Sequence, residues 1–173
     1  MRLNFFVLMA LAFVVISTQC SKRGPSENDP FPALTLAPLS GGSAWSPEML
    51  KGKTTLIQVF AAWCPHCANE MDDLAALKKR FPNLQVIGIF WNDEPANLKP
   101  FLQRFGNPYD SIWRDTNDSV NRQLKIPGVP AIYVVDGTGV IRQHYKGALR
   151  PEVRDAYLIP YLELQQPKTE TIR

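Results

Sequence analysis

Residues 54–74 read TTLIQVFAAWCPHCANEMDDL, and this stretch decides the fold. Its first part, residues 54–60, is apolar and β-branched without a breaker, the composition of a strand buried on both faces of a sheet. Its second part opens a helix. Pro65 suits a first helical position, and Cys67, Met71, Leu74 and Leu77 recur at helical spacing. Lys78, Lys79 and Arg80 favour the carboxyl end and Pro82 stops it, so a single helix is predicted over residues 65–80. Cys64 and Cys67 stand where strand turns into helix.

That spacing places both sulfurs on the first helical turn, near enough to bond. The sulfur at the helix start lies beside unpaired backbone N–H groups and the positive end of the dipole. Such an environment stabilises a thiolate, the form that attacks disulfides. Cys64 is therefore predicted to be the exposed nucleophile, and Cys67 the more buried thiol that resolves the mixed disulfide. Trp63 would shield one side of the pair, and His66, when charged, would further stabilise the Cys64 thiolate. A static disulfide and half of a zinc site are the competing readings. A four-residue loop constrains the unfolded chain little, and zinc would need further ligands from Cys20, His66 and His144. A Cu(I) site on the reduced pair suits the softness of the metal, but no Met-rich or His-rich tract accompanies it. No metal and no organic cofactor is expected.

Outward from this centre, strands and helices alternate. Residues 84–90 read as a second buried strand, and residues 94–105 as a helix ended by Gly106, with Pro100 marking a kink or interruption. Residues 117–124 make a short helix. Residues 131–135 and 140–145 form a hairpin about Asp136-Gly137-Thr138-Gly139, and residues 151–162 close the domain as a helix. A strand–helix–strand opening demands a parallel pair, and the hairpin adds antiparallel strands. The fold class is α/β, a mixed central sheet with helices on both faces, over residues 31–164. Residues 165–173 read as a flexible tail. Trp45, Trp91, Trp113, Phe101 and Phe105 read first as core, with residues 91–94 a second candidate lining for the dithiol face. His144 reads as structural, and Asp72 and Asp73 as a solvated helix face.

The chain has 173 residues, 45% hydrophobic and 20% charged, a balance that excludes a disordered chain and fits one domain with appendages. Its net charge of +3 is spread along the sequence and leaves no footprint for nucleic acid. Residues 1–20 form a targeting segment, with Arg2, an apolar run, then Cys20 and a polar linker over residues 21–30. Three readings stand: an uncleaved anchor, a lipoprotein signal acylated at Cys20, and an ordinary cleaved signal. Each sends the domain across a membrane. A monomer is expected.

Trp63-Cys64-Pro65-His66-Cys67, followed by Gly128-Val129-Pro130 ahead of a strand, resembles the thioredoxin superfamily. The resemblance implies a thioredoxin-like fold in which Pro130 is cis and faces the dithiol, with Val129 and Pro130 presenting backbone to an extended substrate. More narrowly, Cys64-x-x-Cys67-x-x-Glu70-Met71, Gly106-Asn107-Pro108-Tyr109, Gly139-Val140-Ile141-Arg142 and Gly147 are similar to the DsbE/CcmG branch of the TlpA-like group. Those are membrane-tethered thiol–disulfide reductases of cytochrome c maturation. The resemblance implies a periplasmic site at the bacterial inner membrane and a disulfide-bearing client, apocytochrome c. It also implies recharging by a transmembrane electron donor of the DsbD/CcdA type, and a proton-handling role for Glu70. A carboxylate three residues after Cys67 neighbours it on a helix and relays a proton if burial raises its pKa. The sequence departs from that branch at Ala131, where glutamate is usual, and at Ile126-Pro127, both at the face where a client docks. A general TlpA-like reductase is the alternative, as is an oxidant like DsbA, which shares Cys-Pro-His-Cys. DsbA-like proteins carry a large helical insertion for which residues 81–129 leave no room.

Overall fold

Thr55–Phe60 forms the strand β2, and every one of its residues is buried. The computed structural model describes residues 23–39 and 45–166, so the targeting segment with Cys20 and residues 167–173 lie outside the described residues. With β1 (Leu36–Pro38) ahead of it, β2 is followed by β3 (Gln85–Phe90), β4 (Ser111–Asp115), β5 (Ala131–Val135) and β6 (Ile141–Lys146). The six strands form one sheet in the order β1-β4-β3-β2-β5-β6. β2 pairs in parallel with β3, from Thr55 opposite Gln85 to Phe60 opposite Phe90, and antiparallel with β5. The mixed sheet predicted from the sequence is present.

Alternation along the strands divides the core in two. Leu56 and Phe60 with Val86, Phe90, Ile132 and Val134 face one way, and Ile57, Val59, Ile87, Ile89, Tyr133 and Val135 face the other. The first face is covered by α1 (Pro65–Asn69), α2 (Met71–Arg80), α3 (Pro95–Phe105) and the C-terminal helical segments. The second is covered by the N-terminal segment, a 3₁₀ turn (Pro47–Leu50) and α4 (Ser119–Leu124). Each large aliphatic side chain buried this way contributes about 1.5–3 kcal/mol. Trp45, Trp113 and Phe101 are buried as expected, while Trp91 and Phe105 are half-buried and pack against the two clusters.

Several elements depart from the sequence reading. The helix predicted over residues 65–80 is two helices that meet at Glu70, whose own side chain is anchored outside the helix. α3 runs through Pro100 without interruption, because the ring lies on the exposed side and its lost N–H frees only a solvent-side carbonyl. α4 starts at Ser119 rather than residue 117, since Asp115 accepts from Ser119 N, Ser119 Oγ and Val120 N. The closing helix divides into α5 (Pro151–Val153), a π-helical turn (Arg154–Leu158) and α6 (Ile159–Leu164). Pro160 lacks the N–H that a regular helix would use there, and the Ile159 amide reaches back to the Arg154 carbonyl instead. β1 and β4 were not predicted.

Residues 23–30, read as linker, lie against the domain. Gly24 is buried where a Cβ would fall 2.1 Å from the Leu124 carbonyl oxygen, so only glycine fits. Asn28 N–H donates to the Ile141 carbonyl at 2.8 Å, and Ile141 N–H donates to Asp29 O at 2.9 Å. Among the described residues no helix is long and apolar enough to cross a membrane.

Candidate active site

The loop from β2 delivers Cys64 to the N-cap of α1 with extended backbone, and Pro65 takes the first helical position. Cys64 and Cys67 form a disulfide across a Cα–Cα distance of 5.3 Å. The Cys67 main-chain N–H points at Cys64 Sγ, 3.1 Å away, the contact that favours a thiolate on Cys64 once the bond is reduced. Cys64 is 3% exposed and Cys67 fully buried. Cys64 is the more accessible of the two by a small margin, but the expectation of an openly exposed Cys64 is corrected, because both cysteines belong to the core cluster that packs under α1 and α2. Pro65 and His66 are exposed beside it.

Trp63 is 56% exposed, and its indole N–H donates to the Asn92 carbonyl at 3.0 Å. Ala62 N–H donates to Asp93 Oδ2 at 2.7 Å. Residues 91–94 therefore do meet the dithiol loop, through backbone and a carboxylate rather than through Trp91. The Val129–Pro130 peptide is cis, and Val129 packs against both core clusters. The Pro130 carbonyl accepts from Gly147 N–H at 2.9 Å, a contact that Gly147 makes with φ at +103°. Ala131 is wholly buried.

Glu70 is 5% exposed. Its Oε1 accepts from Leu149 N–H at 2.7 Å and its Oε2 from Gln58 Nε2 at 2.5 Å. Burial pushes the carboxyl above the ordinary glutamate range; the two donors pull it back part of the way, Asp73 adds to the rise and His66 opposes it. Tyr109 donates its hydroxyl to Gln58 Oε1, which makes one buried line of polar groups that ends at Glu70, between α1 and α2. Sequence reasoning missed Gln58 and Leu149. The available signal for Gln58 was a lone amide in an apolar strand, while a main-chain donor such as Leu149 N–H leaves none. Asp73 is half-buried and pairs with Arg154 at 2.5 Å, whereas Asp72 is exposed. His144 stacks on Tyr133 across the β5–β6 pair. Among the described residues no three His, Cys, Asp or Glu side chains gather as a metal would require.

Comparison with known proteins agrees with this geometry. The redoxin family model matches residues 26–158. A probable thiol:disulfide interchange protein DsbE-2 of Pasteurella multocida is 32% identical over 124 residues, covering 72% of this chain and 64% of that protein. Thiol:disulfide interchange protein DsbE of Haemophilus influenzae is 33% identical over 132 residues, covering 76% of this chain and 72% of its own length. In fold, the thioredoxin domain of a thiol-disulfide oxidoreductase from Bacteroides vulgatus superposes with a TM-score of 0.67 at 22% identity, over 80% of this chain and 99% of that one. The chain belongs to the redoxin family and, within it, to the DsbE-type thiol:disulfide interchange proteins.

Proposed function

We propose that the protein is a thiol–disulfide reductase tethered at the periplasmic side of a bacterial inner membrane, acting on apocytochrome c during cytochrome c maturation. The observation that carries the reading is the buried, doubly hydrogen-bonded Glu70, one turn on from Cys67 in a dithiol that starts a helix. The Cys64 thiolate attacks one sulfur of the client disulfide. That bond breaks, a mixed disulfide forms, and the departing client sulfur takes a proton. Cys67 then gives its proton to the Glu70 carboxylate and attacks Cys64, which releases the second client sulfur to take that proton in turn. The client gains two electrons and two protons, and the protein is left with the Cys64–Cys67 disulfide. A transmembrane donor of the DsbD/CcdA type restores the dithiol, since the periplasm is kept oxidising. Trp63, His66 and Val129 form the rim against which the client lies.

His66 inside the dithiol favours a second reading, an oxidant, because a stabilised thiolate makes a more oxidising couple. Equilibration of the Cys64/Cys67 couple with glutathione separates the two. A potential at or below about −200 mV supports the reductase, and a value near about −120 mV establishes the oxidant.

A further inference from the structure

At the junction of α1 and α2, three buried polar side chains from three separate parts of the chain meet. Tyr109 precedes β4 and is 6% exposed, Gln58 lies in β2 and is fully buried, and Glu70 sits between α1 and α2. The Tyr109 hydroxyl donates to Gln58 Oε1, and Gln58 Nε2 donates to Glu70 Oε2 at 2.5 Å. The Tyr109 ring packs against residues of β2 and β3. It stacks on Phe60 at 4.8 Å between centroids, and it lies over Gly88, where a Cβ would come within 3.1 Å of Tyr109 Cδ1.

The Gln58 amide has two ways to face Glu70. With its NH₂ toward the carboxyl it matches a carboxylate, which only accepts; turned over, its carbonyl matches a protonated acid, which donates. A tyrosine hydroxyl has one proton to give. The other acceptor within reach of Tyr109 is Met71 Sδ at 3.5 Å, and a thioether accepts weakly compared with an amide oxygen. The hydroxyl therefore binds the amide carbonyl and leaves the NH₂ for Glu70.

We infer that Tyr109 and Gln58 are positioning residues of the dithiol site: the Tyr109 hydroxyl holds the Gln58 amide with its NH₂ toward Glu70 and so sets how readily that carboxyl takes and releases its proton. This rests on the proposed role of Glu70 as proton carrier. The remaining groups that face Glu70 are fixed in kind. His66 of α1 and Asp73 of α2 act on it through their charge, and Asp73 is paired with Arg154 of the C-terminal segment. Leu149 N–H comes from the loop before α5. Gln58 is the donor in this set whose orientation is held by another side chain, Tyr109.

The test is the titration of the Glu70 carboxyl, followed by ¹³C NMR on the full chain in its disulfide form. Tyr109→Phe keeps the ring on Phe60 and removes the hydroxyl. It should move the Glu70 midpoint to higher pH by on the order of one pH unit, because the amide no longer favours the anion. Gln58→Met removes the donor itself and should move it further in the same direction. The double variant should titrate like Gln58→Met, since Tyr109 acts through Gln58. A Tyr109→Phe midpoint equal to the wild type overturns the inference, as does a double variant in which the two shifts add in full. Should Gln58→Met fail to fold, Tyr109→Phe alone decides. The proton-carrier reading fails separately, if Glu70→Gln leaves the pH–rate profile of client reduction unchanged while the carboxyl shifts are still seen in the other variants.

Discussion

The main-chain N–H of Ala62 donates to Asp93 Oδ2 at 2.7 Å, so a carboxylate beyond the end of β3 holds the loop that leads into the dithiol. The other oxygen of Asp93 accepts from Glu94 N and Asn97 Nδ2, both at 2.7 Å, and fixes the start of α3. One side chain thus couples the catalytic loop to a helix N-terminus. Asp93→Ala leaves the Ala62 and Glu94 amides without these partners and should cost about 2 kcal/mol in urea unfolding. Hydrogen exchange at Ala62 should quicken as well. Wild-type stability in that variant would show that solvent replaces Asp93 without loss.

Asp136 anchors the β5–β6 hairpin. Its burial alone would raise its pKa, but hydrogen bonds from Thr138, Arg142 and Val140 outweigh that and hold it at about 2. The folded state therefore binds the Asp136 proton less readily than the unfolded chain, whose value is 3.8. Its stabilising contribution is complete above the unfolded value and is lost as pH falls from there through about 2. Acid unfolding monitored by circular dichroism should show this loss. Asp136→Asn should be less stable at neutral pH and should show a shallower fall in stability across the same acid window.

The central strands, the dithiol turn and the hairpin were legible because local chemistry determines them. An unbroken apolar run has no other stable place than a sheet interior, and Asp136-Gly137-Thr138-Gly139 permits little besides a turn. What escaped was set by partners distant in sequence. β1 is three residues long and exists because Leu36 to Pro38 find Trp113 to Asp115. The break at Glu70 lies in a helical pattern with no Gly or Pro near it, and coincides with side-chain contacts to residues 12 and 79 positions away. Cys64, Cys67 and Glu70 could be picked from spacing and resemblance, but the Tyr109–Gln58 contact joins residues 51 positions apart and no periodicity encodes it.

If residues 1–20 are the targeting segment read from the sequence, they decide where the protein works. Membrane tethering, whether by an uncleaved apolar segment or by a lipid on Cys20, puts the chain in the membrane fraction. Mass spectrometry of the native amino terminus separates the two forms by the presence of residue 1 or of an acylated Cys20. A water-soluble chain beginning beyond Cys20 rules out both.

The proposed cysteine roles rest on geometry that treats the two cysteines differently. Cys67 N–H points at Cys64 Sγ, and of the two residues Cys64 alone keeps any exposure. In the reduced protein Cys64 should be alkylated first and at lower pH. Cys64→Ser should abolish disulfide reduction, and Cys67→Ser should accumulate a mixed disulfide with the client, visible as a shifted band on non-reducing gels. Faster alkylation of Cys67 reverses the assignment.

In the proposed mechanism Glu70 links catalysis to stability through one proton. Its folded pKa is raised above the ordinary glutamate value of 4.5, chiefly by burial, so the folded protein binds this proton more tightly than the unfolded chain does. Between 4.5 and its folded value, Glu70 therefore makes stability decline as pH rises, and above that value the cost of a buried carboxylate is carried in full. Glu70→Gln abolishes this slope. It does so with a steric match and a polar mismatch, because both carboxyl oxygens accept N–H donors and the new amide NH₂ must face one of them. The variant should fold, lose roughly 1–3 kcal/mol below the folded pKa of the wild-type carboxyl, and lose less above it, where the wild type bears its charge. Client reduction should slow near neutral pH even though removing a negative charge beside Cys67 by itself favours the thiolate. Slower turnover with an unimpaired thiolate then identifies proton transfer as the lost step. A wild-type pH–rate profile together with a wild-type stability slope would falsify both halves of the argument and leave Glu70 as a structural carboxylate.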